Sequence, residues 1–213
     1  PHRDRQGSYS PDGAWIAFQT DRWPGALALI RPDGSSLREL AAGRTTGAFY
    51  PAWSPDGRWL ACSSTEGAFL LAVGNGKAAG EPVPIVPPEE TGVGFWPSSF
   101  SPDGRQLAGV LSSAANFVRG AAIYTIPDRT YRKLPVDDPT NLFFLPDGRR
   151  LLVAGRRGIG ILDLASGRLR PLVPATEGSK IVWAALSRDG RHLAWHERAD
   201  ESDIWLAELG GKK

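Results

Sequence analysis

One tetrapeptide, exact or changed at a single position, occurs five times in this chain, and its spacing limits what the chain can fold into. Ser10-Pro11-Asp12-Gly13 recurs as Ser54-Pro55-Asp56-Gly57 and Ser101-Pro102-Asp103-Gly104, then in variant form as Leu145-Pro146-Asp147-Gly148 and Ser187-Arg188-Asp189-Gly190. The aspartates lie 44, 47, 44 and 42 residues apart. The register extends beyond the tetrapeptide. Three residues before each Asp stands a large apolar side chain: Tyr9, Trp53, Phe100, Phe144 or Leu186. Four residues after it comes Ile16, Leu60, Leu107, Leu151 or Leu193, followed by Ala17, Ala61, Ala108, Leu152 or Ala194. A period of this length marks an array of one supersecondary unit.

The tetrapeptide has a mechanical reading. Pro suits the second position of a type I turn, Asp the third, and Gly the left-handed position that follows. Such a turn makes a three-residue hairpin connection, so each copy is expected to join two antiparallel strands. Asp12, Gly13, Asp56, Gly57, Asp103, Gly104, Asp147, Gly148, Asp189 and Gly190 are therefore structural turn residues. A third strand is expected over 26–30, 68–73, 121–126, 158–164 and 203–207, and a fourth over 37–40, 81–86, 131–134 and 169–173. Four strands in about 40–45 residues is the arithmetic of a propeller blade. No stretch with helical period is long enough for a helical repeat.

The expected architecture is an all-β single domain over 1–213: a β-propeller of five recognisable four-stranded blades, about 7–43, 44–90, 91–137, 138–176 and 177–213, the last lacking its fourth strand. Either residues 3–7 clasp that last blade, or sequence upstream completes a larger ring. The second is the expectation, because the few residues ahead of the first unit are polar and the chain starts at Pro1 with no Met.

Composition narrows the function classes. Of the 25 basic residues 20 are Arg, scattered along the chain, and the net charge is +2. Nucleic-acid binding needs a basic stripe or patch, and none can be read here. The single Cys62 excludes an intrachain disulfide and sits in an apolar run as a buried thiol. No apolar run is long enough for a membrane span, so no membrane contact is expected within this chain.

Trp53-Ser54-Pro55-Asp56-Gly57-Arg58-Trp59-Leu60-Ala61 and Phe100-Ser101-Pro102-Asp103-Gly104-Arg105-Gln106-Leu107-Ala108 resemble the TolB-type WD40-like propeller repeat, as does the third strand Asp203-Ile204-Trp205-Leu206. The resemblance spans essentially the whole chain and is specific for fold, whereas one fold hosts many unrelated sites. It implies a bacterial, extracytoplasmic (periplasmic) setting and a protein or peptide partner. It also implies two larger contexts. One is a sensor or interaction region behind a kinase or winged-helix domain upstream, which the short Gly210-Gly211-Lys212-Lys213 tail favours. The other is the substrate-gating propeller of a prolyl-oligopeptidase-type or tricorn-type peptidase whose catalytic domain lies outside this chain.

Catalytic machinery is not legible. The chain has neither a Gly-x-Ser-x-Gly elbow nor a phosphate-binding Gly-x-x-x-x-Gly-Lys-Ser/Thr loop. His192 and His196 flank Leu193-Ala194-Trp195 on an expected strand, where residues four apart are roughly 13 Å from each other. That is too far for a shared zinc. Asp200-Glu201-Ser202-Asp203 lacks the spacing of a calcium loop and reads as a solvated turn. No catalytic residue, metal site or cofactor is expected.

A ligand is expected on the face opposite the Pro-Asp-Gly turns, where the longer second-to-third strand loops and the inter-blade connections lie. These hold Tyr50, Asn141 and the candidate binding residues Trp23, Phe95, Trp96, Asn116, Phe117, Arg119, Arg156, Arg157 and Trp183. Aromatics and arginines dominate binding hot spots, and loops on rigid scaffolds carry function.

Overall fold

All five Pro-Asp-Gly segments close hairpins in the computed structural model, which describes residues 2–22, 27–40, 49–90, 92–113, 118–199 and 202–208, with 118, 119 and 202–208 described in their backbone alone. The Gly N–H donates to the carbonyl three residues back at 2.9–3.0 Å in every copy, and each Gly has φ between 64° and 72°. The connection is one residue longer than the three-residue hairpin expected: the Ser10 N–H donates to Trp15 O, so four residues, 11–14, lie between the paired positions, and the other copies do the same. The serine hydroxyl donates to the turn Asp at 2.5–2.6 Å and accepts the backbone N–H of Trp15, Trp59, Gln106 or His192 at 2.8–2.9 Å. The serine carbonyl, already used by the glycine, is thereby relieved of that pairing. In the fourth copy Leu145 replaces the serine and points into the core, and Arg150 ties Asp147 instead, Nε to Oδ2 at 2.6 Å.

The described residues form five antiparallel sheets and no helix. Sheet one runs β1 (Asp4–Tyr9), β2 (Ile16–Thr20), β3 (Leu27–Ile30), β4 (Arg38–Glu39). Sheet two runs β5 (Phe49–Trp53), β6 (Trp59–Ser64), β7 (Gly67–Gly74), with β8 (Lys77–Ala78) and β9 (Val83–Pro84) both paired to β7. Sheet three is β10 (Val93–Phe100), β11 (Gln106–Ser113), β12 (Val118–Thr125), β13 (Thr130–Leu134). Sheet four is β14 (Pro139–Phe144), β15 (Arg150–Gly155), β16 (Gly158–Asp163), β17 (Leu169–Pro174). Sheet five is β18 (Lys180–Leu186), β19 (His192–Arg198), β20 (Ser202–Glu208).

The arrangement is propeller-like, but not every sheet has four strands. The strand expected over 81–86 is broken: Pro82 and Pro84 lack the N–H a ladder needs, and only Val83–Pro84 pair, beside the separate β8. Sheet five has three strands among the described residues. Residues 4–9 pair with β2 as the first strand of sheet one, so the clasp alternative for residues 3–7 does not occur.

Consecutive sheets bury apolar side chains between them. Leu27, Leu29, Leu60, Phe69 and Leu71 fill the seam between sheets one and two. Phe95, Phe100, Leu107 and Tyr124 fill the second seam, and Val110, Leu142, Leu151 and Leu162 the third. Leu145, Leu152, Ile181 and Leu193 fill the fourth. Fully burying one such Leu contributes about 1.5–3 kcal/mol.

The turns interlock at the narrow end of these seams. A Cβ placed on Gly57, Gly104 or Gly148 would lie 3.6–3.7 Å from Cδ of Pro11, Pro55 or Pro102, the proline of the preceding turn; at Gly190 the distance to Pro146 is 3.1 Å.

Candidate functional site: a central funnel

The innermost strand of every sheet carries a register shift: between Arg5 and Ser8, Phe49 and Ala52, Pro97 and Ser99, Pro139 and Asn141, Ile181 and Trp183. Such bulges re-aim a side chain. At or beside them, six residues before each turn Asp, stand Gln6, Tyr50, Pro97, Asn141 and Trp183. All five line one cavity of about 1040 Å³ walled by the inner strands of all five sheets. Tyr50 (φ 55°) and Gln6 (φ 56°) are held in the left-handed region, uncommon for residues with a Cβ.

Three aromatic rings meet in this funnel. Tyr50 stacks on Trp183 (centroids 5.3 Å, interplanar angle 23°) and leans on Trp96 (5.4 Å, 36°). Burial pushes the Tyr50 phenol above its ordinary pKa. Polar side chains tie neighbouring inner strands together around the cluster. The Tyr50 N–H donates to Gln6 Oε1 at 3.1 Å, the Ala184 N–H to buried Asn141 Oδ1 at 3.2 Å, and the Trp53 indole to Ser8 O at 3.0 Å.

Two charged side chains line the funnel, Arg156 and Arg188, and no Asp or Glu does among the described residues. Arg156, in the β15–β16 connection, faces Asp138 (Nε to Oδ1, 3.5 Å). Arg188 stands at the opposite, turn end, in the position that proline holds in the other four turns. Its guanidinium donates to Pro11 O and, at 3.3 Å, to Pro55 O, crossing from sheet five to sheets one and two.

The expected binding residues divide. Trp96 and Trp183 come together, and Arg156 lines the same funnel. Arg157 lines a separate recess of about 380 Å³ with Asp138, Arg156, Thr176, Ser179 and Lys180. Phe95 is a core residue, 3% exposed and packed with Tyr124 and Tyr131. Strand alternation sends Phe95 and Trp96 to opposite faces of β10. Trp23, Asn116 and Phe117 lie outside the described residues, and Arg119 is described in its backbone alone. Sequence reading missed Gln6 and Arg188, and placed Tyr50, Phe95, Trp96, Asn141 and Trp183 in connections when they stand on β5, β10, β14 and β18. Aligning the repeats at the sixth residue before the Asp puts Gln6 in one register with Tyr50, Asn141 and Trp183, which is the signal that could have found it. Burial raises the Cys62 thiol pKa, which leaves it protonated and inert.

No protein-family model and no curated protein matches the chain by sequence. Solved structures do match it in shape. A protein described as TolB from Agrobacterium tumefaciens superposes with a TM-score of 0.80 at 15% identity, over 98% of this chain and 78% of that one. The fold is that of a TolB propeller. TolB from Acinetobacter baumannii gives 0.71 at 13% identity, over 98% of this chain and 52% of that chain, so this TolB-like chain spans about half its length. The Cps50 (Swd1) β-propeller domain from Myceliophteria thermophila gives 0.62 at 16% identity, over 98% and 74%.

Proposed function

We propose that this TolB-like propeller is a non-catalytic binding module that takes a peptide, or a segment of a partner protein, in its central funnel. The observation that carries the reading is the convergence of Tyr50, Trp96 and Trp183, from three sheets, on one cavity of about 1040 Å³. That volume is at the upper end for ligand pockets, and rigid aromatics supply contact area at low entropic cost. The hydroxyls in the wall, Ser98, Ser99 and Thr140 among them, have no histidine, cysteine or carboxylate in the described lining to act as a base. That chemistry supports the non-catalytic reading. The extracytoplasmic setting and the interaction role implied by the repeat belong to the same proposal.

The test is selection of peptides from a soluble random heptapeptide library by the immobilised chain, read by mass spectrometry. Retained peptides are expected to come off at unchanged mass, and to be lost on Trp183→Ala or Trp96→Ala variants that melt within a few degrees of wild type. Binding indifferent to both substitutions would move the site elsewhere. Peptides recovered cleaved would make the protein a hydrolase.

A further inference from the structure

We propose that the funnel is polar along its axis and selects peptides by charge: a carboxylate sits at Arg188, and a flat or apolar side chain rests on the Tyr50 cluster. This rests on the funnel being the peptide site.

The charge distribution carries the inference. Of the two arginines in the lining, Arg156 has Asp138 beside it, whereas Arg188 has only neutral acceptors, Pro11 O and Pro55 O. Those carbonyls hold the guanidinium in place without cancelling its charge, and a guanidinium has five N–H donors. No carboxylate pairs with Arg188 among the described residues. Asp12 lies within its electrostatic reach, but that carboxyl is held first by the Ser10 hydroxyl and the Ala14 N–H. Arg188 is thus held by neutral acceptors without a direct ion pair among the described residues and keeps N–H donors to spare, so a carboxylate at the turn end of the funnel gains charge-assisted hydrogen bonds. Lysine or arginine at the same place would be repelled.

The second half is geometric. Trp183 and Arg188 are five residues apart on one strand and its turn, roughly 15 Å in extended chain. An extended peptide of about five residues has the same span, so it can place one end at Arg188 and a side chain at Trp183. The carboxylate can be a free C-terminus or an Asp or Glu near the end.

The experiment uses three pools of random pentapeptides, lacking Asp and Glu unless stated. One ends in a free carboxylate, one in an amide, and one in an amide with a single Asp or Glu at the last position. The full chain is expected to retain the free-acid or the acidic-amide pool about tenfold over the neutral amide pool. Whichever pool wins identifies the source of the carboxylate. The preference should fall as salt rises from about 0.05 to 0.5 M, through screening. Arg188→Gln should abolish it and Arg188→Lys should keep part of it. Because Arg188 also bridges Pro11 and Pro55, the salt series on the unaltered chain stands independently of any variant that folds poorly. Equal retention of all three pools would overturn the charge selection and leave the binding site standing. Retention of none would overturn both.

Discussion

Trp53 of sheet two packs on the core of the first seam, and its indole donates to Ser8 O at 3.0 Å; the matching residue of sheet one, Tyr9, is 63% exposed. The same contrast holds at the turns. Gly57, Gly104, Gly148 and Gly190 each nest on the proline of the preceding turn, whereas a Cβ on Gly13 would meet nothing within 4 Å. Among the described residues, sheets five and one do not pack on each other as consecutive sheets do. Arg188, reaching Pro11 and Pro55, links them at the axis. Identical local chemistry thus has different energetic weight on the two sides of a sheet. A blade cannot bury its faces alone, and its stability resides largely in the neighbour it meets.

Four measurements break or sharpen this contrast. The largest effect belongs to the third seam: Leu151→Ala, fully buried between sheets three and four, should cost about 2–5 kcal/mol in denaturant unfolding. A cost below about 1 kcal/mol would show that the seam packs loosely. Next comes the matched pair. Trp53→Ala should cost about 2 kcal/mol and Tyr9→Ala about 0.5 kcal/mol or less; equal costs would mean that Tyr9 has a partner after all.

The turns give a smaller difference. Gly13→Ala and Gly190→Ala both force a side chain into left-handed backbone, at about 1 kcal/mol. Gly190→Ala should cost more, because its Cβ would crowd Pro146 at 3.1 Å. Melting curves that rank the two variants the other way would remove the interlock from the account of the seams.

The smallest effect is one the seams should not influence. The Ser54 hydroxyl, the Arg58 N–H and the Arg58 guanidinium lower the Asp56 carboxyl pKa to about 2, against partial burial. The stability this supplies is complete above about pH 4 and is lost as pH falls toward about 2. Asp56→Asn should flatten the pH dependence of unfolding in that window. Asp12→Asn should do likewise at the open side, since Ser10 and the Ala14 N–H lower the pKa of its carboxyl in the same way. A flattening confined to Asp56 would tie the turn carboxylates to the seams.

Much of the fold was legible because its determinants are local. Pro, Asp and Gly set the turn within four residues, and the apolar residues before and after it set the hairpin. The prolines at 82 and 84 could have warned of the broken fourth strand, since a missing N–H is also a local property. The serine was legible as a repeated residue but not as the group that joins Asp to the opposite strand, because that role needs the loop geometry.

The funnel lay beyond sequence reading for a physical reason. Tyr50, Trp96 and Trp183 are more than 40 residues apart in turn, and only the ring of sheets brings them to one axis. Which of two adjacent aromatics faces that axis is decided by register and bulges, which is why Trp96 lines the cavity and Phe95 the core. In the sequence Arg188 stands only as a variant of the turn proline. Its place at the floor of the funnel, bonded to carbonyls of the first two sheets, exists only once sheet five stands across from them. Short-range sterics and turn chemistry thus wrote the repeat into the sequence, while long-range packing alone chose which of its side chains share a site.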